Sequence, residues 1–435
     1  MTALQSALQT CVATVSERLA DQTTVERMTL HPDPWIGIGD TRRSRWMPVS
    51  LASGPLSMAL LFAELSHQDA GHRRLAHNYL IAATEHAGAA PVGGLQGGLC
   101  AVAFTARSAA RSSADYATLL SKLDAKITGH VATIIRAERI LVPSEGGCSF
   151  AATDVISGLA GIGRYLLTRP GPADESLHEI LRFLVERADP LRLNGTERPG
   201  WWIRHSPSPE IPDLDGHVNY GLAHGMPGTL AFLSLAWHAG CRVSGQDDAI
   251  HRMATWLITE RGRYSAVPLW PASLSYAEYF DGAPAQRPVT APSWCYGAPG
   301  TARAIQLAGL ALAEPGWGIE ARSAVHEVVG WLDAGGDLGE TMLCHGWAGV
   351  LQTLCRMNGD FKDPVIERAI DQIAARLLAE YDEVLPFGFQ ARQMADSHHL
   401  DLPGFLEGAA GIALAITTYT SGSVFSGWDS ALMLA

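Results

Sequence analysis

Two kinds of apolar segment alternate along the chain. Segments of the first kind are apolar on nearly every face, and a helix of that composition is normally buried on all sides. Segments of the second kind have one apolar face at helical spacing, as at the N-terminus, where Leu4, Leu8 and Val12 recur every four residues. The pattern therefore predicts buried helices that alternate with half-exposed helices. The clearest buried segments are 56–65, 159–167, 229–237, 301–312 and 411–418; the half-exposed ones are 1–21, 72–87, 116–137, 176–190, 247–261, 322–334 and 363–382.

Seven glycine-rich turns divide the chain, and a strongly apolar segment follows each of them. Their spacing is too irregular for a short-period solenoid, but it suits helix pairs joined by loops of variable length. We therefore expect an all-α fold: a double (α/α) barrel of seven inner and seven outer helices, in one domain covering 1–435. The turns would meet at one rim. A loose array of helical repeats is the alternative. The marker glycines are Gly54, Gly97, Gly158, Gly225, Gly297, Gly346 and Gly408.

Two intervals between turns are longer than the others. Residues 191–223 are rich in Pro, Gly and Trp, and residues 262–294 contain a strand-like run broken by prolines. We expect both to be loop elaborations near the active-site rim that form a small region with some β structure. Plain surface loops are the alternative.

Composition restricts the partners and the compartment. The 435 residues carry 44 acidic and 32 basic side chains, a net charge of −12, and no Lys/Arg run offsets this charge. Nucleic acid is therefore excluded as an expected partner. Seven cysteines at irregular spacing predict reduced thiols rather than a disulfide framework. The sequence has neither a signal-peptide pattern nor an apolar run of membrane-spanning length, so we expect a cytoplasmic protein.

Thiolate and imidazole side chains occur on two of the turns. Cys295 precedes Gly297, and the adjacent Cys344 and His345 precede Gly346. These are donors that zinc prefers, and three protein ligands would leave a fourth position open, as in catalytic zinc sites. The alternative is that they are ordinary buried cysteines. His224 and Asp154 also lie at turns, where a capping or core role would be equally ordinary.

The motifs at these turns resemble the lanthionine synthetase C family, and the similarity covers essentially the whole chain. The resemblance implies one Zn²⁺ per chain, held by Cys295, Cys344 and His345. It places the family's acid/base histidine on His224 and its aspartate near the metal on Asp154. The family often has an arginine just before the Trp-Cys pair, whereas here the nearest arginine is Arg287. The matching segments are 154–161, 223–228, 294–297, 344–346 and 405–411.

The resemblance further implies a zinc-dependent lanthipeptide cyclase. Such an enzyme adds peptide cysteine thiolates to dehydroalanine or dehydrobutyrine and forms (methyl)lanthionine rings. Tyr296, beside a metal ligand, is a candidate to steady the oxyanion. The expected partners are a dehydrated precursor peptide (leader plus core), a separate dehydratase and a transporter complex, which would bring the enzyme to a membrane-associated assembly. The alternatives are a related enzyme that adds glutathione or another thiol to dehydrated proteins, and a non-catalytic zinc- or thiol-binding scaffold. A glycan- or isoprenoid-processing barrel is disfavoured because the sequence lacks the expected carboxylate cluster.

Overall fold

The computed structural model describes residues 2–29, 35–38, 41–44, 46–171, 174–206, 215–261, 269–283, 291–392 and 399–435. The chain folds into two compact units. One comprises Met1–Leu123 with Leu338–Asp429, and the other comprises Asp124–Asp337 with Ser430–Ala435.

Among the described residues, helices dominate both units, and four two-stranded antiparallel pairs accompany them. Although α6 runs for 29 residues, neither it nor any other helix in the described ranges is long and apolar enough to cross a membrane. The helices are α1 (Ala3–Ala20), α2 (Gln22–Thr29), α3 (Pro55–Leu65), α4 (His72–Glu85), α5 (Leu99–Ala109), α6 (Ala117–Glu145), α7 (Phe150–Thr153), α8 (Leu159–Leu166), α9 (Glu175–Glu186), α10 (Met226–His238), α11 (Gln246–Arg261), α12 (Tyr276–Phe280), α13 (Ala298–Leu312), α14 (Pro315–Asp333), α15 (Trp347–Phe361), α16 (Pro364–Ala379) and α17 (Ala409–Ser421). The strands are β1 (Trp35–Ile38), β2 (Thr41–Ser44), β3 (Leu191–Leu193), β4 (Thr196–Arg198), β5 (His217–Asn219), β6 (Ser273–Ser275), β7 (Ala391–Arg392) and β8 (His399–Leu400).

A glycine is the N-cap residue of every helix that follows a predicted turn. In the second turn the N-cap is Gly98, one residue after the predicted marker Gly97. All residues of α3 are buried, and so are the first twelve of α13, as expected for helices without a polar face. We call this set the turn helices; its members are α3, α5, α8, α10, α13, α15 and α17.

The helices between the turns bury only one face. On α16 this face comprises Ile366, Ile370, Ile373 and Leu377 together with two alanines. In the first unit α3 packs against α5 and α17, and α17 packs against α15. Each of three half-exposed helices packs against one of these: α4 against α3, α1 against α17 and α16 against α15. In the second unit α10 packs against α8 and α13, and α9, α11 and α14 lie against them. Each unit therefore has two helical layers, one buried and one half-exposed.

The start of a helix is predicted well where the capping side chain directly precedes the first helical residue. Asp363 caps α16 by accepting hydrogen bonds from the backbone N–H groups of Val365 (2.8 Å) and Ile366 (3.4 Å), as its position before a proline predicts. The spacing of Ser176 and Glu179 predicts a capping box that starts at Ser176, but this prediction is wrong, because Asp174 is the cap of α9 and accepts from the Leu177 N–H at 3.0 Å.

Both long intervals contain short strands, so the predicted β structure is confirmed. Strands β3 and β4 form a hairpin within 191–223, and β5 from the same interval pairs with β6 from 262–294. The register aligns Val218 with Leu274. This pairing fixes the segment that leads directly into the turn before α10. Residues 207–214, 262–268 and 284–290 lie outside the described part of these intervals.

A candidate metal centre and a histidine–aspartate pair

The turn before α13 holds Cys295 in a closed loop. The Ser293 N–H donates to the Tyr296 carbonyl (2.8 Å), and the Tyr296 N–H donates to the Ser293 hydroxyl oxygen (3.1 Å). Trp294 is fully buried, and its indole N–H donates to the Leu432 carbonyl at 2.8 Å. Cys295 itself is 5% exposed. Its sulfur is therefore held by a rigid backbone and faces little solvent.

Two glycines make this turn possible. Gly297 has a φ of 82°, in the left-handed region that other residues adopt only with strain. A Cβ on Gly300 would lie 2.1 Å from the Trp294 carbonyl oxygen, a distance that no side chain tolerates. The spacing of these glycines after the cysteine is thus a requirement of the backbone.

Cys344 and His345 lie on the turn before α15. The Cys344 N–H donates to the Leu406 carbonyl (2.9 Å), which ties this turn to the turn that precedes α17. Gly346 follows with a φ of −139°, which is ordinary extended backbone. A Cβ there would lie 2.4 Å from the Glu340 carbonyl oxygen. Glycine is therefore needed at position 346 for this close approach of the backbone.

The structure brings the three predicted donors together. One ligand atom from each of Cys295, Cys344 and His345 lies within 4.8 Å of the others, so the group could hold a metal ion. Two sulfurs that each lie about 2.3 Å from one tetrahedral zinc are roughly 3.8 Å apart. Small side-chain rotations would therefore bring all three donors to a shared ion. The set of two thiols and one imidazole fits zinc chemically.

Four cysteines outside this group have raised thiol pKa values. Burial raises the pKa of the Cys148 thiol to about 12, and it does the same for Cys11 and Cys355. Burial also raises the pKa of Cys241. A thiol with such a pKa stays protonated at neutral pH and is a poor metal ligand. Cys11, Cys148 and Cys355 therefore remain thiols at neutral pH, as expected of buried structural cysteines.

His224 and Asp154 form a direct hydrogen bond. The distance from His224 Nδ1 to Asp154 Oδ2 is 2.7 Å, and because a carboxylate only accepts, Nδ1 carries the hydrogen. The other carboxylate oxygen accepts from the backbone N–H groups of Ile156 and Ser157. The Asp154 side chain is 1% exposed, whereas the His224 side chain is 37% exposed. A buried, backbone-anchored carboxylate thus fixes the ring of an accessible imidazole.

Tyr296 is held beside this histidine. Its ring centroid lies 6.4 Å from that of His224, and its hydroxyl accepts a hydrogen bond from Asn219 Nδ2 at 3.5 Å. A Cβ on Gly221 would lie 2.6 Å from the tyrosine ring, so glycine there makes room for it. The Phe150 ring also lies close to the imidazole, 5.7 Å away from centroid to centroid.

Three residues that contribute to the site were not identified from the sequence. Ser293 closes the cysteine turn, Asn219 holds the tyrosine hydroxyl, and Phe150 flanks the imidazole. Only Ser293 had a local signal, since a serine at the start of a turn often bonds to backbone within the turn. Asn219 and Phe150 depend on strand pairing and on a four-residue helix that the hydrophobic pattern does not reveal. Arg287 lies outside the described residues.

Comparison with known proteins identifies the class. A solved structure described as a nisin cyclase has a similar fold, with a TM-score of 0.74 at 20% sequence identity and coverage of 96% of each chain. The predicted fold class, an all-helical α/α barrel, is thereby confirmed. Residues 45–433 match the family of lanthionine synthetase C-like proteins, and the chain belongs to this family. The nisin biosynthesis protein NisC of Lactococcus lactis subsp. lactis is 23% identical over 400 residues, which cover 89% of each chain.

Proposed function

We propose that this protein is a zinc-dependent lanthipeptide cyclase, which joins cysteine thiols to dehydrated serine or threonine residues of a peptide. Membership of the lanthionine synthetase C-like family and similarity to two nisin-pathway proteins support this activity and a peptide substrate. The observation that carries the proposal is the approach of Cys295, Cys344 and His345 to within 4.8 Å of one another. These donors come from two distant turns of the sequence.

In this proposal Cys295, Cys344 and His345 would hold one zinc ion. A free thiol has a pKa of about 8.5 and is mostly protonated at neutral pH; a bound zinc ion would supply the deprotonation of the substrate thiol, whose proton passes to solvent. Two protein thiolates would also donate charge to such an ion and keep the substrate sulfur nucleophilic. Hydrolytic zinc sites, in contrast, favour histidine and carboxylate ligands.

Polar side chains of the second unit act in the remaining steps of the reaction. The substrate sulfur forms a bond to the β-carbon of dehydroalanine or dehydrobutyrine, and the π electrons of the alkene move to give an enolate. His224 delivers a proton to the α-carbon, which restores the carbonyl. Asp154 keeps the hydrogen on Nδ1, so that Nε2 is the nitrogen that gives and regains this proton. The Tyr296 hydroxyl hydrogen-bonds to the enolate oxygen.

The substrate would be a precursor peptide, leader plus core, that a separate dehydratase has already modified. A cytoplasmic location and association with a transporter complex remain predictions. So do the single domain over 1–435 and the placement of 191–223 and 262–294 near the rim of the site.

The proposal is tested by metal analysis together with a defined peptide assay. Purified protein should contain about one zinc per chain, and Cys344→Ala should contain almost none. Cys241→Ala is the matched control, since it removes a half-exposed cysteine that is not part of the donor group. A synthetic peptide with one dehydroalanine and one cysteine should gain a thioether and lose its free thiol on incubation with the zinc protein. Metal-free parent protein, or a peptide that keeps its thiol under all conditions, would contradict the proposal.

The same assay separates the two alternatives. Glutathione added to a dehydroalanine peptide without cysteine should give no adduct, and an enzyme-dependent adduct would favour the thiol-adding enzyme. Zinc binding without either reaction would favour a binding scaffold. Mass spectrometry after alkylation of free thiols distinguishes all three outcomes.

A further inference from the structure

The side chain of Ser293 approaches the sulfur of Cys295. The distance from Oγ to Sγ is 3.4 Å, within hydrogen-bonding range for sulfur. Ser293 is 1% exposed and Cys295 is 5% exposed, so the contact is shielded from water. A hydrogen bond in such surroundings is electrostatically stronger than one in solvent.

The direction of this hydrogen bond depends on the state of the sulfur. The serine hydroxyl has one hydrogen and two candidate acceptors, the Cys295 sulfur and the Tyr296 carbonyl, which lies 2.9 Å away. That carbonyl already accepts from the Ser293 N–H at 2.8 Å, so it does not require the hydroxyl. A metal-bound cysteine has lost its hydrogen and can only accept. The hydroxyl hydrogen is therefore available to the sulfur when the site is loaded.

We propose that Ser293 is a positioning residue of the metal centre, which donates a hydrogen bond to the Cys295 thiolate and draws charge from it. This inference rests on the proposed function. The reaction brings a third, chemically similar thiolate to the same ion, and only the substrate's sulfur is to react. A hydrogen bond to the protein sulfur lowers its nucleophilicity and fixes its orientation. Ser293 thereby helps to keep Cys295 a ligand and to direct reactivity to the substrate.

Cobalt substitution tests this role without any turnover. Co²⁺ bound to thiolates gives a sulfur-to-metal charge-transfer band whose energy reports the charge on sulfur. Ser293→Ala should shift this band to lower energy and weaken zinc binding about 10-fold, the lower end of the effect of removing a hydrogen bond to a metal ligand. Zinc affinity is measured by competition with a chromogenic chelator. Ser293→Thr, which keeps the hydroxyl, should restore the band position.

Thr301→Val is the matched control. Thr301 is fully buried on α13, and its hydroxyl donates to the Tyr220 carbonyl at 3.2 Å. This variant removes a buried hydroxyl from the helix that follows the cysteine turn but leaves the sulfur untouched, so it should change thermal stability without moving the band. If Ser293→Ala binds Co²⁺ with the parent's band energy and affinity, the inference is wrong while the metal site stands. If the parent protein binds neither metal, the proposed function and this inference both fail.

Discussion

Replacing Asp154 with asparagine tests how the histidine–aspartate pair works. Oδ1 accepts from the backbone N–H groups of Ile156 and Ser157, so this position must remain an oxygen. In Asp154→Asn the amide nitrogen must then take the place of Oδ2, 2.7 Å from His224 Nδ1. Two N–H groups cannot face each other at that distance. The ring is expected to respond by moving its hydrogen from Nδ1 to Nε2.

The expected loss of rate follows from this geometry. A hydrogen bond from a charged imidazole to a carboxylate contributes about 1.5–3 kcal/mol, which corresponds to roughly 10- to 150-fold in rate. The shifted hydrogen also removes the lone pair of Nε2 that must regain a proton after each turnover. General acid–base catalysis as a whole contributes about 10²- to 10⁴-fold. Asp154→Asn should therefore lower the rate of cyclisation about 10²- to 10³-fold. The rate of His224→Ala should be the lowest rate that loss of this pair can produce.

The assay is the initial rate of thioether formation on the dehydroalanine–cysteine peptide at fixed zinc occupancy. Zinc content should equal that of the parent, because neither residue belongs to the donor group. Asp363→Asn is the control, since it neutralises another helix-associated aspartate far along the sequence and should leave the rate unchanged. The double variant with His224→Ala should be no slower than His224→Ala alone. A parental rate for Asp154→Asn, or multiplicative losses in the double variant, would refute the coupling.

Three further predictions concern the turns and the thiols. With iodoacetamide at pH 8, Cys148 should stay unlabelled, because a pKa of about 12 leaves roughly one thiolate in 10⁴. Cys344 should react in metal-free protein, and bound zinc should protect it. Peptide mapping measures both results. Ala313 ends α13 with a φ of 57°, which glycine adopts with less strain than alanine, so Ala313→Gly should stabilise the protein by about 0.5–1 kcal/mol. Gly422 ends α17 with a φ of 70°, so Gly422→Ala should destabilise the protein by about 1 kcal/mol. Urea unfolding measures both changes. Gly300→Ala should distort the cysteine turn and release zinc, and full zinc retention would show that the turn can relax.

Sequence patterns predicted the helices because their signals are local. A run without polar residues must be buried whatever surrounds it, so α3 and α13 were identified from composition alone. The predicted helix ends are wrong where the local sequence pattern is weak. Helix α14 begins at Pro315 rather than near 322, since glycines in its first turn conceal a start that proline at the first helical position favours. Helix α6 continues to Glu145, beyond the predicted end at 137, and includes Pro143.

The three predicted metal donors, which lie close together, also occur in a recurring sequence pattern. The residue just before the N-cap glycine is His224 in one turn, Tyr296 in the second and His345 in the third, and Cys295 and Cys344 come one position earlier. The repeated glycine turn therefore places these side chains at corresponding positions along the sequence, although the backbone is left-handed at Gly297 and extended at Gly225 and Gly346. Helix N-termini also favour negative charge, which suits thiolate ligands at α13 and α15. Asn219 on β5 and Phe150 on α7 lie outside these turns, so no pattern of turns could have revealed them.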